Sequence, residues 1–389
     1  MTDLTRRFSN LAVAVVALVA VQQCRTAWAA FPGENGKICF TDYTQVDVSG
    51  QVAVVPPEAA GEVTPLTSEG TLNEGASWSP DGTRIAFSST RDDGNTEIYA
   101  MNADGSDQQR LTENAAFDYL PDWSADGQTL LFSSNRDGDF EIYRMSATGG
   151  EAIQYTSSNG FDGVAAWSPD CSKIVFSSQR DGDFEIFTMN GDGSGQTQLT
   201  FNTENDLYDD WSPDGQQIAF ATERAGTVGR DIWVMNADGS EQHSLISRAG
   251  GDTDPAFSPD GTLISFAADN QTNFDSIYVA SAVDGGDLVH VTEPGTHNHR
   301  SPDWQPVVAQ EGINSVECPP FVICGDANID FRIKATDALL ILKAAVGQPI
   351  PCELVRCDTD DGGKVLSSDA QRVLRRAVGL PAVLNCPKP

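Results

Sequence analysis

The feature that most constrains this chain is an internal repeat of 44 to 47 residues. Its anchor is Trp-Ser-Pro-Asp-Gly or a close variant, beginning at Trp78, Trp123, Trp167, Trp211 and Phe257, with a truncated sixth at Trp304-Gln305-Pro306. After each full anchor comes an apolar triplet: Ile85-Ala86-Phe87, Leu130-Leu131-Phe132, Ile174-Val175-Phe176, Ile218-Ala219-Phe220 and Ile264-Ser265-Phe266. A hairpin turn follows, such as Arg136-Asp137-Gly138-Asp139, and then a second run such as Glu141-Ile142-Tyr143-Arg144-Met145. An Asn-Ala-Asp-Gly-Ser turn recurs at Asn102 and Asn236, and each repeat closes on Leu-Thr or a relative, at Leu66, Leu111, Tyr155, Leu199, Leu245 and Val291. Asp-Gly between short alternating runs marks β-hairpins, because both central residues can take positive φ. Each repeat thus supplies about four short strands. A sheet that small cannot bury both faces alone, so the repeats must stack on one another.

The two ends of the array complete one another. Gly36-Lys37-Ile38-Cys39-Phe40 matches the apolar triplet and runs on to Pro65-Leu66-Thr67 without an anchor, whereas Ser301-Pro302-Asp303-Trp304 is an anchor without the rest. Together they make one repeat unit, giving six blades in a ring sealed by strands from both ends, which removes free sheet edges. The expected fold is mainly β, a six-bladed β-propeller over 31–306. The anchor tryptophans are expected to pack between blades. Cys39 fills the small middle position of a core strand. Cys171 replaces the Gly of an anchor turn, and the two cysteines are not expected to pair.

These repeats resemble those of TolB and TolB-like periplasmic propellers, over the whole of 31–306. The resemblance specifies the fold more than the function, since propellers host many roles. In TolB a separate α/β domain precedes the propeller. Here the expected mature chain opens directly on propeller sequence.

One spacing is held more tightly than the rest. From the closing Leu to the next anchor aromatic is 12 residues in five blades and 13 in the sixth. The seventh residue after that Leu forms a column: Asn73, Asp118, Asp162, Asp206, Asp252 and Asn298. In a propeller this segment leads into the inner strand, near one mouth of the central channel. Two readings follow: a ring of oxygen ligands for a cation or the basic end of a peptide, or side chains bonding backbone N–H groups of their own loops. Asp122, Asp209, Asp210, Asp254 and Asp303 place further carboxylates nearby. His297 and His299, separated by one residue, would bind a metal with Asp252 or Asp303.

Arg6 and Arg7, the apolar run Leu11–Val21 and the small-residue site Ala27-Trp28-Ala29 read as a signal peptide over 1–30. The run is short for a bilayer span. The residues before Cys24 lack the pattern of a lipoprotein signal. No later stretch is apolar enough to be transmembrane. The chain is therefore expected to be exported, to the periplasm, the cell surface or the extracellular space. The formal net charge of −32 argues against nucleic acid as a partner and favours cations or basic proteins. Much of the Asp content also serves tight turns.

Beyond a linker at 307–320, the pattern changes. Cys324-Gly325-Asp326-Ala327-Asn328-Ile329-Asp330 and Cys357-Asp358-Thr359-Asp360-Asp361-Gly362-Gly363 open two related units, each leading to Ala-Val-Gly at the end of a helix. The spacing is that of EF-hand-type calcium loops. The ligands would be Asp326, Asn328, Asp330, the Arg332 carbonyl and Asp337 in one loop, and Asp358, Asp360, the Lys364 carbonyl and Asp369 in the other. Two such loops, each followed by one helix, resemble a type I dockerin, making 321–389 a small α-helical calcium-binding domain. The resemblance implies docking to a cohesin-like protein through Ala335 and Thr336, and Ser367 and Ser368. Phe331 stands where Gly is usual, and Gly362 where a carboxylate is usual. Cys318, Cys324, Cys352, Cys357 and Cys386 crowd this region, and export permits disulfides among them. Their spacing lacks the Cys-x2-Cys of common zinc sites.

No Gly-x-Ser-x-Gly or His-Glu-x-x-His motif occurs, so the sequence leans away from catalysis. The expected function is a non-catalytic binding or scaffold protein, with a propeller platform for a peptide, glycan or protein and a calcium-dependent anchor. The alternative is a polysaccharide-degrading hydrolase or lyase attached through its dockerin-like module.

Overall fold

In the computed structural model, the described residues are 34–44, 49–58, 61–68, 72–92, 94–224, 229–269, 274–292 and 297–307. The signal peptide, the linker, the dockerin-like segment and all of its candidate calcium and docking residues lie outside them.

Among the described residues, 24 strands form six four-stranded antiparallel sheets. In five sheets the strands follow chain order outward from the inner strands Asn73–Trp78, Asp118–Trp123, Asp162–Trp167, Asp206–Trp211 and Asp252–Phe257. The sixth sheet is composite. Its inner strand, His297–Val307, pairs antiparallel with Glu34–Thr44, with Trp304 opposite Ile38 and His299 opposite Asp42. The expected six-bladed ring and its seal are both present.

The apolar triplets form the second strands, and Phe40, Phe87, Phe132, Phe176, Phe220 and Phe266 are almost completely buried. The anchors are buried between blades. Trp78, Ile85 and Phe87 pack with Cys39, Val52 and Val54 of the closing blade, and Trp123, Leu130 and Phe132 pack with Ala86 and Ile98 of the blade before. Burying a large aromatic this way contributes about 2–3 kcal/mol. Trp123 and Trp304 also donate their indole N–H to the carbonyls of Ser77 and Ala256, each at 3.2 Å, in the neighbouring blade. Cys39 is a buried free thiol within this core, and Cys171 is disulfide-bonded, so the two do not pair with each other.

The turns differ from expectation in one detail. In Ser79-Pro80-Asp81-Gly82 the Gly82 N–H bonds the Ser79 carbonyl at 2.8 Å, and Gly82 alone of the four has positive φ. This is a type I turn followed by one left-handed residue, not a two-residue turn with both central residues left-handed. The Asp81 carboxylate holds it, accepting from the Ser79 hydroxyl and the Thr83 N–H at 2.6 and 3.0 Å.

Candidate functional site

Every inner strand carries a β-bulge, between Glu74 and Ser77 in one blade and at the matching place in the others. A residue with positive φ sits in it: Gly75, Leu120, Val164, Tyr208, Asp254 or Ser301. A left-handed Val is costly, and its recurrence in register shows the fold imposing the conformation. The bulge re-aims the residues that follow. Just before the anchors, those are Ser77, Asp122, Ala166, Asp210, Ala256 and Asp303.

One cavity is lined by residues of all six blades, Ser77, Asp122, Ala166, Asp210, Phe257 and Asp303 among them, which places it on the ring axis. Carboxylates thus alternate with small residues around the axis. Each carboxylate accepts the backbone N–H of the anchor in the next blade: Asp122 from Trp167 at 3.0 Å, Asp210 from Phe257 at 2.8 Å and Asp303 from Trp78 at 2.6 Å. Among the described residues none of the three makes an ion pair. Burial, and then repulsion from Asp303, pushes Asp122 up to about 7. Burial alone pushes Asp303 up to about 7. Asp210 is raised well above the ordinary range by burial and by both of its counterparts. Asp209 and Asp254, also raised by burial, bond the Ser177 hydroxyl at 2.8 Å and the Ser301 N–H at 2.9 Å. Three buried carboxylates that repel one another, with no ion pair among the described residues, are held towards their protonated forms.

The sequence column sits elsewhere, at the first residues of the inner strands. Asn73, Asp118, Asp162, Asp206 and Asp252 are buried, and Asn298 is half-buried. Most are held by an arginine of their own blade. Arg91 donates to Asn73 at 2.8 Å, Arg136 to both oxygens of Asp118 at 3.0 and 2.9 Å, Arg180 to Asp162 at 2.7 Å, and Arg224 to Asp206. Arg248 reaches Asp252 at 3.4 Å. Asn298 accepts the Asp275 N–H at 3.0 Å. The same arginines stack on blade aromatics, Arg136 over Tyr143 at 4.5 Å and Arg180 over Phe187 at 4.6 Å. The partners of the column are therefore mainly side chains of the blade rather than loop N–H groups.

A second acidic position escaped the sequence reading. The Glu that opens the third strand is buried at Glu97, Glu141 and Glu185. Glu97 accepts from Thr112 at 2.5 Å, from the Asn114 N–H at 2.8 Å and from Arg110 at 2.9 Å. The Asn114 side chain then donates to Asp118 of the next blade at 2.7 Å, and Asn202 links Glu185 to Asp206 in the same way at 3.2 and 2.8 Å. At these two junctions the chain of bonds ties one blade to the next. The signal was present as Leu-Thr-x-Asn at 111–114 and 199–202. Burial raises Glu141 to about 7 and raises Glu185, while burial, partly offset by Arg248, raises Asp252 to about 7.

His297 and His299 do meet a carboxylate, but it is Asp42 rather than Asp252 or Asp303. Asp42 lies opposite His299 in the strand pair that seals the ring, and His297 Nδ1 lies 2.8 Å from its Oδ1. Burial acts to raise the Asp42 carboxyl, but His299 and then His297 beside it outweigh this and hold it below its usual range.

The TolB beta propeller domain matches residues 29–206, 153–229 and 210–309. This chain belongs to the TolB β-propeller family. The Tol-Pal system protein TolB of Desulfosudis oleivorans is 51% identical over 53 residues, which are 14% of this chain and 12% of that protein. Its counterpart in Alcanivorax borkumensis is 37% identical over 59 residues, 15% of this chain and 14% of that protein. The matched segments thus span about one-eighth of these relatives' length. Among solved structures, TolB from Acinetobacter baumannii superposes with a TM-score of 0.60 at 22% identity, covering 74% of this chain and 70% of its own. Hydrazine synthase of Kuenenia stuttgartiensis also reaches 0.60, at 16% identity, covering 71% of this chain and 47% of its own. At such identities the likeness speaks for the TolB-type propeller fold alone. Among the described residues, no helix is long and apolar enough to cross a membrane.

Proposed function

We propose that this TolB-family chain is an exported, non-catalytic binding protein whose propeller receives a cationic group, the basic end of a protein partner, at the axial cavity. The observation that carries this reading is the trio Asp122, Asp210 and Asp303, buried, mutually repelling and, among the described residues, without an ion pair, where the column aspartates mostly have arginines. A bound cation would offset that repulsion and draw all three into the ionised state. A protein partner accords with relatives named for the Tol-Pal system. The C-terminal segment would add a calcium-dependent, dockerin-like anchor through Asp326, Asn328, Asp330 and Asp337 in one loop and Asp358, Asp360 and Asp369 in the other.

The test is fluorescence anisotropy of a labelled lysine-rich peptide against the full chain. The triple variant Asp122→Asn, Asp210→Asn, Asp303→Asn should weaken binding at least about tenfold, which is about 1.4 kcal/mol. Wild-type affinity should rise from pH 6 to 8, as Asp122 and Asp303 ionise, and fall with added salt. Binding that is absent, or unchanged in the triple variant, would sink the axial reading. The anchor is checked by calcium titration of the full chain beside its Asp326→Ala, Asp358→Ala variant, which should lose the response.

A further inference from the structure

We infer that the seam of the ring holds a first-row divalent metal of the zinc class on Asp42, His297 and His299. Strand geometry brings the three together. His297 and His299 are two residues apart on one strand, so their side chains leave the same face. Asp42 is the cross-strand partner of His299, and Thr44 that of His297, which sets Asp42 diagonal to His297 on that face. One ligand atom from each of the three falls within 4.8 Å of the others. His297 Nδ1 lies 2.8 Å and His299 Nε2 lies 3.5 Å from Asp42 Oδ1. Ligands on a tetrahedral zinc stand about 3.3 Å apart, so small rotations close the site.

The surroundings suit a ligand set. The far nitrogen of His299, Nδ1, lies 2.8 Å from the Thr292 hydroxyl oxygen, which also accepts the Ile277 N–H at 3.0 Å. Such an outer bond fixes the ring and leaves Nε2 directed at the site. Phe40 packs edge-on against the same imidazole, with centroids 5.0 Å apart. In other blades the corresponding threonine donates to a buried Glu, Thr112 to Glu97 and Thr200 to Glu185. Here Ser276 stands at the Glu position, and the histidine takes up the threonine instead. His299 is 8% exposed and Asp42 19%, whereas His297 is 40% exposed, so one side stays open for the ion to enter and for a fourth ligand from solvent. Imidazole donors select zinc-class ions over calcium. Since Asp42 comes from the first strand and both histidines from the last, the ion would clasp the ring shut and add to its stability by mass action. This inference is independent of the axial site.

The experiment is isothermal titration of the metal-stripped full chain with zinc chloride, with thermal unfolding in parallel. Wild type should take up zinc with micromolar or tighter affinity and melt higher with it. His297→Ala should lower zinc affinity at this site at least about tenfold while melting like wild type without zinc, and His243→Ala, an exposed histidine in another blade, should behave as wild type. If His299→Ala folds it should lose the site as well, and if it does not, the exposed His297 carries the test. Calcium in place of zinc should give no shift that depends on His297. Zinc uptake and melting indistinguishable between wild type and His297→Ala, or no zinc uptake at all, overturns the assignment.

Discussion

At the scale of single residues, the molecule treats two sets of buried carboxylates oppositely. Asp118 is wholly buried but shares both oxygens with Arg136, while Asp122, four residues on, has among the described residues only backbone and Ser77 hydroxyl donors. Removing one partner of a buried pair strands the other charge. Arg136→Ala should therefore cost about 3 kcal/mol in urea unfolding, near the low end for a buried pair because Arg136 is partly exposed. Adding Asp118→Asn to that variant should recover part of the loss, since Asn73 fills the same position with Arg91 in another blade. A negligible cost for Arg136→Ala, with no coupling in the double-mutant cycle, would show the pair to be passive. The column itself was legible from its fixed spacing. Its partners went unread, although Arg91, Arg136, Arg180 and Arg224 each lie 18 residues beyond their column residue.

At the scale of elements, the turns do more than reverse the chain. In the Asn102–Ser106 turn, Gly105 has φ of +83°, and a Cβ there would stand 2.8 Å from the Leu66 carbonyl oxygen of the preceding blade. Gly is thus required both by conformation and by a close approach between blades. Gly105→Ala should destabilise by about 1–3 kcal/mol, combining left-handed strain with displacement of the Leu66 backbone. Gly94→Ala is the control, since its φ of +72° is similar and nothing stands within 4 Å of the Cβ it would add. Equal losses for the two variants, measured by urea unfolding, would mean that conformation alone matters. The sequence marks the turns, but the stacking of blades decides which turn glycine has a neighbouring backbone against it.

At the scale of the whole molecule, the axial trio couples stability to pH. Asp122 and Asp303 titrate near 7 in the fold against about 3.9 in an unfolded chain. A raised folded value means the native state binds more protons between those limits. The stability these groups contribute is complete below about pH 4 and is lost as pH rises through about 7. The variant with Asn at 122, 210 and 303 keeps an oxygen to accept the anchor N–H but no charge. It should melt higher than wild type at pH 8, by on the order of 5 °C, and the gap should close towards pH 4. A gap that is constant with pH, or reversed, would show the trio to be compensated in the free protein.

The sequence by itself determined the number of blades, the strands in each, the buried aromatics and the seam that joins the two ends. Those features rest on local periodicity and on a repeat whose copies can bury their faces only against each other. Tertiary structure alone decided which polar groups meet. Asp42 and His297 are 255 residues apart in the chain, and their meeting depends on the register of the closing strands. Asp122, Asp210 and Asp303 lie in three different blades, and their meeting on the axis depends on the bulges that re-aim each inner strand. The bulge recurs in every blade, but Gly75, Leu120, Val164, Tyr208, Asp254 and Ser301 are six different residues, so no residue type marks it for a linear reading.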